Sequence, residues 1–162
     1  MPLRRNRATK PRLLLAVGRL RSGPEAALYV EMAGRLRPAL TLREIPEAKG
    51  SAAEVRRREG AALLAAVPEG ALAVALDLGG PAPDSARFAA MTEAWDASGR
   101  SLAFLIGGAE GLDPAVLARA DQSLSLGPLT WPHFWVRAML AEQLFRAQCI
   151  RSGHPYHRAW RP

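Results

Sequence analysis

The segment Ser101–Leu126 reads S-L-A-F-L-I-G-G-A-E-G-L-D-P-A-V-L-A-R-A-D-Q-S-L-S-L, and it decides the fold class. Ser101–Ile106 is an apolar run too short for a helix and closed by glycines, the pattern of a strand buried on both faces. Asp113 and Pro114 place a capping acid and a first-turn proline at the start of a short helix. Gln122–Leu126 then resumes as a strand. Two strands joined through a helix run parallel, because a tight hairpin cannot return the chain in the same direction.

The alternation extends upstream to the start of the chain. Arg12–Val17 is an apolar run closed by Gly18, and Pro24 opens a helix that runs to about Arg37, ahead of Pro38. Leu40–Ile45 is a second strand, ended by Pro46. Ser51 and Glu54 form an S-x-x-E capping box for a helix to about Val67. Ala71–Leu76 is a third strand, and Asp84 or Ser85 caps a helix to about Ser98. Downstream, Pro132 begins a last helix that ends near Gly153. Five strand–helix units without an internal repeat or long linker predict an α/β domain, a parallel sheet with helices on both faces.

A chain of 162 residues is long enough for one domain with a proper core. Its formal charge of +7 is concentrated at the ends. Residues 1–12 hold five Lys/Arg and no acid, residues 151–162 hold three Arg and two His, and the body between is near neutral, with 14 basic and 15 acidic residues. Residues 1–11 read as a flexible basic extension whose simplest role is solubility, 12–158 as the domain, and 159–162 as a tail. Basic ends also suit a phosphate-rich partner, and Tyr156 and Trp160 interleave the C-terminal charges where they can stack on bases. The single cysteine, Cys149, falls in a helical apolar run and reads as a buried thiol. No stretch has the length of a membrane span and no signal peptide is recognisable, so a cytoplasmic protein without membrane contact is expected.

In a parallel sheet, ligands bind beyond the carboxyl ends of the strands. Those ends carry Gly18-Arg19, Asp77-Leu78-Gly79-Gly80, Ile106-Gly107-Gly108-Ala109-Glu110-Gly111 and Gly127-Pro128-Leu129-Thr130. A dinucleotide fingerprint would put its glycines after the first strand, and here they follow the fourth. A phosphoacceptor domain would need clustered acids after the first strand and a lysine after the fifth; Gly18-Arg19 and the absence of lysine beyond Lys49 exclude it. Asp77 reads as a brace for its turn. No metal site is expected, since His154 and His157 lack cysteine partners and His133 lies far off in sequence. No G-x-S-x-G elbow occurs, and Cys149 is mid-helix. The chemistry that survives is one in which protein residues position a reactive cofactor, such as methyl transfer from S-adenosylmethionine.

The last quarter of the chain is the most distinctive. Thr130-Trp131-Pro132-His133 precedes Arg137, and the run closes on His154-Pro155-Tyr156-His157-Arg158. Upstream stand Leu15-Ala16-Val17-Gly18, Leu76-Asp77 with Gly79, Ser85 and Phe88-Ala89, and Ile106-Gly107-Gly108-Ala109-Glu110-Gly111-Leu112. Taken together, Leu13 to Arg158 closely resembles the RlmH family, SPOUT-type methyltransferases that act on N3 of a pseudouridine in bacterial large-subunit (23S) rRNA. The resemblance implies a C-terminal trefoil knot, a homodimer, S-adenosylmethionine as cofactor and 23S rRNA within the ribosome as partner. It places cofactor contacts at Leu76, Gly107 and the run Leu126, Gly127, Pro128, Leu129, Thr130 and Trp131. Two departures stand out: the Met1–Arg12 extension, and the loop Leu78-Gly79-Gly80-Pro81, which lacks the basic residue usual there. A non-catalytic, ribosome-associated RNA-binding module is the alternative.

Candidate catalytic residues follow. Attack by N3 on a methyl group requires loss of the imide proton, and His133, Tyr156 and His157 are the candidate acceptors or orienters. Arg137 lies on an apolar helix face and must be paired on burial. It is either a structural partner of a carboxylate such as Glu110 or Asp77, or a group serving rRNA phosphate or the dimer site. His154, Tyr156, His157 and Arg158 form a candidate clamp for an extruded nucleotide. The last helix is apolar on most of its circumference, which predicts burial on more than one side through a homodimer.

Overall fold

In the computed structural model, which describes residues 10–159, ten elements alternate along the chain. The strands are β1 (Arg12–Val17), β2 (Leu40–Ile45), β3 (Leu72–Leu76), β4 (Leu102–Ile106) and β5 (Gln122–Leu124). The helices are α1 (Pro24–Gly34), α2 (Ala52–Ala66), α3 (Ser85–Ala97), α4 (Pro114–Arg119) and α5 (His133–Ser152). The strands pair in the order β2-β1-β4-β3-β5, every pair parallel. The flexibility expected of the basic extension falls on residues 1–9, outside the described ones.

Strand alternation sorts the core into two layers. Leu14 and Ala16 of β1, Val74 of β3 and Phe104 of β4 point to one face, where they join Tyr29 and Met32 of α1, Phe88 and Trp95 of α3, and Leu140 and Leu144 of α5. Leu15 and Val17, Ala73 and Ala75, and Leu105 point to the other face, against Leu63 of α2 and Val116 of α4. Trp95 is pinned between Phe88 and Phe104 in edge-on contacts, and its indole N–H donates to Gln122 Oε1 at 2.8 Å. The sheet is thus covered on both sides, as its near-continuous apolar strands require.

Local signals place most boundaries. Ser51 and Glu54 form both bonds of the capping box, and Asp84 and Asp113 cap α3 and α4. Helix α1 stops at Gly34, three residues before the expected Arg37, and the Arg37 guanidinium takes the carbonyls of Gly34 and Leu36 that the ended helix leaves free. Strand β5 pairs only to Leu124, where the chain turns away: Ser125 N donates to Pro81 O, and Ser125 Oγ to Gly127 O. From that sheet edge the chain crosses the ends of β3 and β4 and enters α5 above β1, where α5 packs between α1 and α3. Among the described residues, no helix is long and apolar enough to cross a membrane.

Candidate active site

At the carboxyl ends of β3, β4 and β5 lies a cavity of about 720 Å³, the size of a nucleotide-cofactor pocket. Three loops wall it: Leu76–Leu78, Ile106–Leu112 and Leu124–Gly127, with Leu129–His133 and Val136 closing it from the start of α5. Glycine is required in this wall. A β-carbon at Gly107 would stand 2.9 Å from the Gly111 carbonyl carbon, and one at Gly80 would stand 2.8 Å from Leu124 N. Both contacts are with backbone, which cannot swing aside. Asp77 braces the first loop, accepting the N–H of Gly79 at 2.9 Å, the role its strand-end position suggested.

Of the eight positions expected to hold cofactor, Leu76, Gly107, Leu126, Gly127, Leu129, Thr130 and Trp131 line the cavity. Pro128 does not; it sits exposed on the turn between its lining neighbours. Two buried polar atoms on the lining residues have no partner within the protein, Trp131 Nε1 and His133 Nε2. A buried donor and a buried ring nitrogen left open in the wall are where a ligand supplies the missing hydrogen bonds. A nucleoside cofactor, with acceptor ring nitrogens and hydroxyls, fits the demand of the Trp131 N–H and leaves the His133 nitrogen for a second ligand.

His133 stacks on Phe134 with ring centroids 4.1 Å apart, and its Nε2 is 4.0 Å from Glu47 Oε1. Burial pulls the imidazole below its ordinary value, the charge of Arg137 adds to this, and Glu47 opposes it. At neutral pH the ring is therefore uncharged and able to accept a proton.

Arg137 is fully buried one helical turn beyond His133. Its Nη1 donates to Glu44 Oε1 at 3.0 Å, and its Nη2 to the carbonyls of Val17 and Gly18 at 2.8 and 2.6 Å. The guanidinium also lies 5.1 Å from the centre of the Phe134 ring. Its partner is thus Glu44 on β2, and neither Glu110 nor Asp77. The correction has a topological cause: β2 is the neighbour of β1, and α5 starts above β1, so Glu44 comes within reach while the loops after β3 and β4 lie on the cavity side.

The remaining expected site residues lie elsewhere in the protomer. The tail turns at Gly153 and folds back along α5, so Tyr156 and His157 lie against the second half of that helix and not at its start. Tyr156 donates its hydroxyl to Glu142 Oε1 at 2.9 Å and meets Phe145 edge-on, while Arg146 covers its ring. Burial, with the bond to Glu142, pushes the phenol up, so in this protomer it is a donor and holds its proton. His157 Nδ1 is 3.3 Å from Arg146 Nη1, and Arg146 also pairs with Glu142. His154 and Arg158 are exposed. Within one chain, His133 and Arg137 stand together, and Tyr156 and His157 do not join them.

Three acidic residues near the site were missed by sequence reasoning: Glu44, Glu47 and Glu59. Glu59 is buried, its Oε1 accepts Ala48 N–H at 3.0 Å, and its Oε2 would be 2.8 Å from a β-carbon on Gly108. Burial raises its carboxyl above the ordinary range, against the Ala48 hydrogen bond, and the charges of Glu47 and Glu110 raise it further. A signal for it exists in the sequence, because Glu59 is four residues before Leu63 on the apolar face of α2. Glu44 and Glu47 had no such signal. Among the described residues, no group of His, Cys, Asp or Glu is arranged to hold a metal ion.

A two-layer parallel α/β domain with a glycine-walled cavity at its strand ends, closed by its own C-terminal helix, is a nucleotide-cofactor-binding fold of the methyltransferase class. The family model described as predicted SPOUT methyltransferase matches residues 12–157, and the chain belongs to that family. It is 58% identical over 149 residues to the ribosomal RNA large subunit methyltransferase H of Gluconacetobacter diazotrophicus, covering 92% of this chain and 98% of the relative. The protein of the same name from Acidiphilium cryptum is 55% identical, over 92% of this chain and 94% of the relative. Among solved structures, a probable methylase family protein from Haemophilus influenzae matches with a TM-score of 0.58 at 11% identity, covering 94% of this chain and 71% of that one. A probable methyltransferase from Bordetella pertussis matches with a TM-score of 0.51 at 20% identity, over 85% and 96%. These two likenesses concern the fold.

Proposed function

We propose that this methyltransferase uses S-adenosylmethionine to methylate N3 of a pseudouridine in 23S rRNA, on assembled ribosomes, as a homodimer whose α5 carries the knot of the fold. The observation that carries the reading is the cavity at the strand ends, lined by seven of the eight positions expected to hold cofactor. The relatives named ribosomal RNA large subunit methyltransferase H, at more than half identity over nearly the whole chain, support the choice of rRNA.

The bound cofactor supplies an electrophilic methyl group on a positively charged sulfur. The protein's work is to hold the acceptor in line and remove its proton. Leu76, Gly107, Leu126, Gly127, Leu129, Thr130 and Trp131 would hold the cofactor, with the Trp131 indole N–H free to donate to it. Neutral His133, its Nε2 open at the cavity, accepts the N3 proton and so frees the N3 lone pair for the methyl group that the cofactor would supply. Arg137 acts through structure: by binding Glu44 and the end of β1 it sets where His133 stands. In the same chain Tyr156 and His157 are held on Glu142 and Arg146, about 14 and 20 Å along α5 from His133, so we assign them to the methylation site of a second copy. The expected homodimer supplies that copy, and Trp135, half exposed on α5, is a large apolar side chain for it to cover.

The test incubates the protein with S-adenosylmethionine and ribosomes from a strain deleted for it, followed by mass spectrometry of digested 23S rRNA. A methylated pseudouridine that appears only with active protein is expected. Absence of cofactor binding by calorimetry at millimolar concentration would leave the fold as an RNA-binding module.

A further inference from the structure

The near-neutral body of the chain is segregated in space. At the amino ends of the strands, cations are held in ion pairs: Arg12 and Arg151 share Asp96, and Arg100 and Arg119 share Asp121. At the carboxyl ends, on the β1–β2–α2 side of the cavity, the pattern reverses. Arg19 and Arg21 follow β1, Arg43 is on edge strand β2, Lys49 follows β2, and Arg57 and Arg58 are in the first half of α2. All six are exposed, and among the described residues none forms an ion pair with a carboxylate.

The nearby acids are engaged elsewhere. Glu31 pairs with Arg35, Glu44 with Arg137, Glu54 closes the capping box of α2, and Glu59 is buried on the Ala48 N–H. Glu25, Glu47 and Glu110 remain to face the six cations. The surface also adjoins the cavity. Arg58 Nη1 holds the Lys49 carbonyl at 3.2 Å, two residues from Glu47, which stands beside His133. Gly18, next to Arg19, is packed so closely that a β-carbon there would be 3.1 Å from the Phe134 ring.

We propose that Arg19, Arg21, Arg43, Lys49, Arg57 and Arg58 form a docking surface for the phosphate backbone of the RNA that enters the cavity. This rests on the rRNA methyltransferase reading and adds a contact surface to the one expected from the basic ends. Unpaired, exposed cations cost little to bring to phosphate, because no internal ion pair must first be broken, and each contact releases counterions. The surface also compensates for the loop Leu78–Pro81, which carries no basic residue.

The experiment compares the full-length protein with the combined variant Arg43→Gln, Lys49→Gln, Arg57→Gln and Arg58→Gln, none of which touches the cavity. Binding to purified 23S rRNA is measured across a series of KCl concentrations, alongside steady-state methylation of ribosomes and calorimetry with S-adenosylmethionine. The slope of log affinity against log salt should fall by about 0.7 for each phosphate that the variant no longer neutralises. KM for ribosomes should rise about tenfold or more, with kcat and cofactor affinity unchanged. A variant with Lys at Arg43, Arg57 and Arg58 should retain the wild-type slope. If the combined variant fails to fold, each single Gln variant must lower the slope by its own share.

An unchanged slope and KM in a protein that methylates normally overturns the docking surface alone. Failure of the wild type to methylate overturns the function reading, while the slope on rRNA still decides the surface. Wild-type binding to vesicles rich in anionic lipid in preference to rRNA would overturn it in favour of a membrane.

Discussion

Arg137 of α5 and Glu44 of β2 are 93 residues apart in the chain, yet Nη1 and Oε1 lie 3.0 Å apart beneath the candidate site. With the Val17 and Gly18 carbonyls as further acceptors, this one guanidinium ties the last helix to the end of the first strand and to the edge strand. Substitution Arg137→Ala takes the guanidinium donor from the Val17 and Gly18 carbonyls and leaves Glu44 Oε1 with only the Leu20 N–H. Because Glu44 is a third exposed and rehydrates in part, the expected loss is about 2–3 kcal/mol, below the cost of opening a fully buried pair. Urea unfolding monitored by tryptophan fluorescence measures it. Arg137→Lys should rescue little, since a single ammonium cannot span the fork.

His133 should govern the acid limb of the pH–rate profile. Burial holds its pKa below the ordinary value, and only the neutral ring accepts a proton. The rate is therefore full at neutral pH and lost as pH falls through that lowered pKa, with unit slope. His133→Gln should reduce kcat by about a hundredfold or more and abolish that limb, with cofactor affinity retained. An acid limb that survives in the variant would assign the base elsewhere.

Gly107→Ala places a methyl against the Gly111 carbonyl and must displace the loop that lines the cavity. Calorimetry should show S-adenosylmethionine bound about tenfold more weakly or worse, a penalty ordinary for forced backbone shifts. The variant should remain folded, because the loop is at the rim of the core.

Truncation after Gly153 separates the two roles of the tail. The structure packs Tyr156 on its own helix, so removal should cost about 1–2 kcal/mol through the missing hydroxyl bond to Glu142 and the missing edge-on pair with Phe145. If the tail also grips RNA in the partner's site, methylation of ribosomes falls by orders of magnitude at temperatures where the truncated protein is fully folded. Activity that tracks only the folded fraction would make the tail structural.

Light scattering at micromolar concentration should report a dimer, and Trp135→Glu should yield monomers. Trp135 is half exposed in the protomer, an unusual position for a large ring on a helix this apolar. A wild-type monomer would contradict the assembly and leave the tail remote from the cavity.

Local periodicity and turn chemistry were enough to read the five strands, the five helices, the capping box at Ser51 and Glu54, the brace at Asp77, and the glycine loops at the strand ends. These features depend on residues a few positions apart, and their geometry is set by φ/ψ preference and by period-2 or period-3.6 burial, so the chain by itself determines them. It also showed that Arg137 must have a partner. Which partner, it did not show, because Glu44 comes within reach only once β2 pairs beside β1 and α5 crosses to that side of the sheet. The same holds for the tail: adjacency in sequence joined His133 and Tyr156 in one signature, whereas the fold seats Tyr156 on Glu142 and Phe145, about three turns along a rigid helix from His133. Charge behaved alike. A nearly neutral count conceals paired cations at one end of the sheet and unpaired ones beside the cavity, because ion pairing is decided by three-dimensional proximity and the sequence records only the sum.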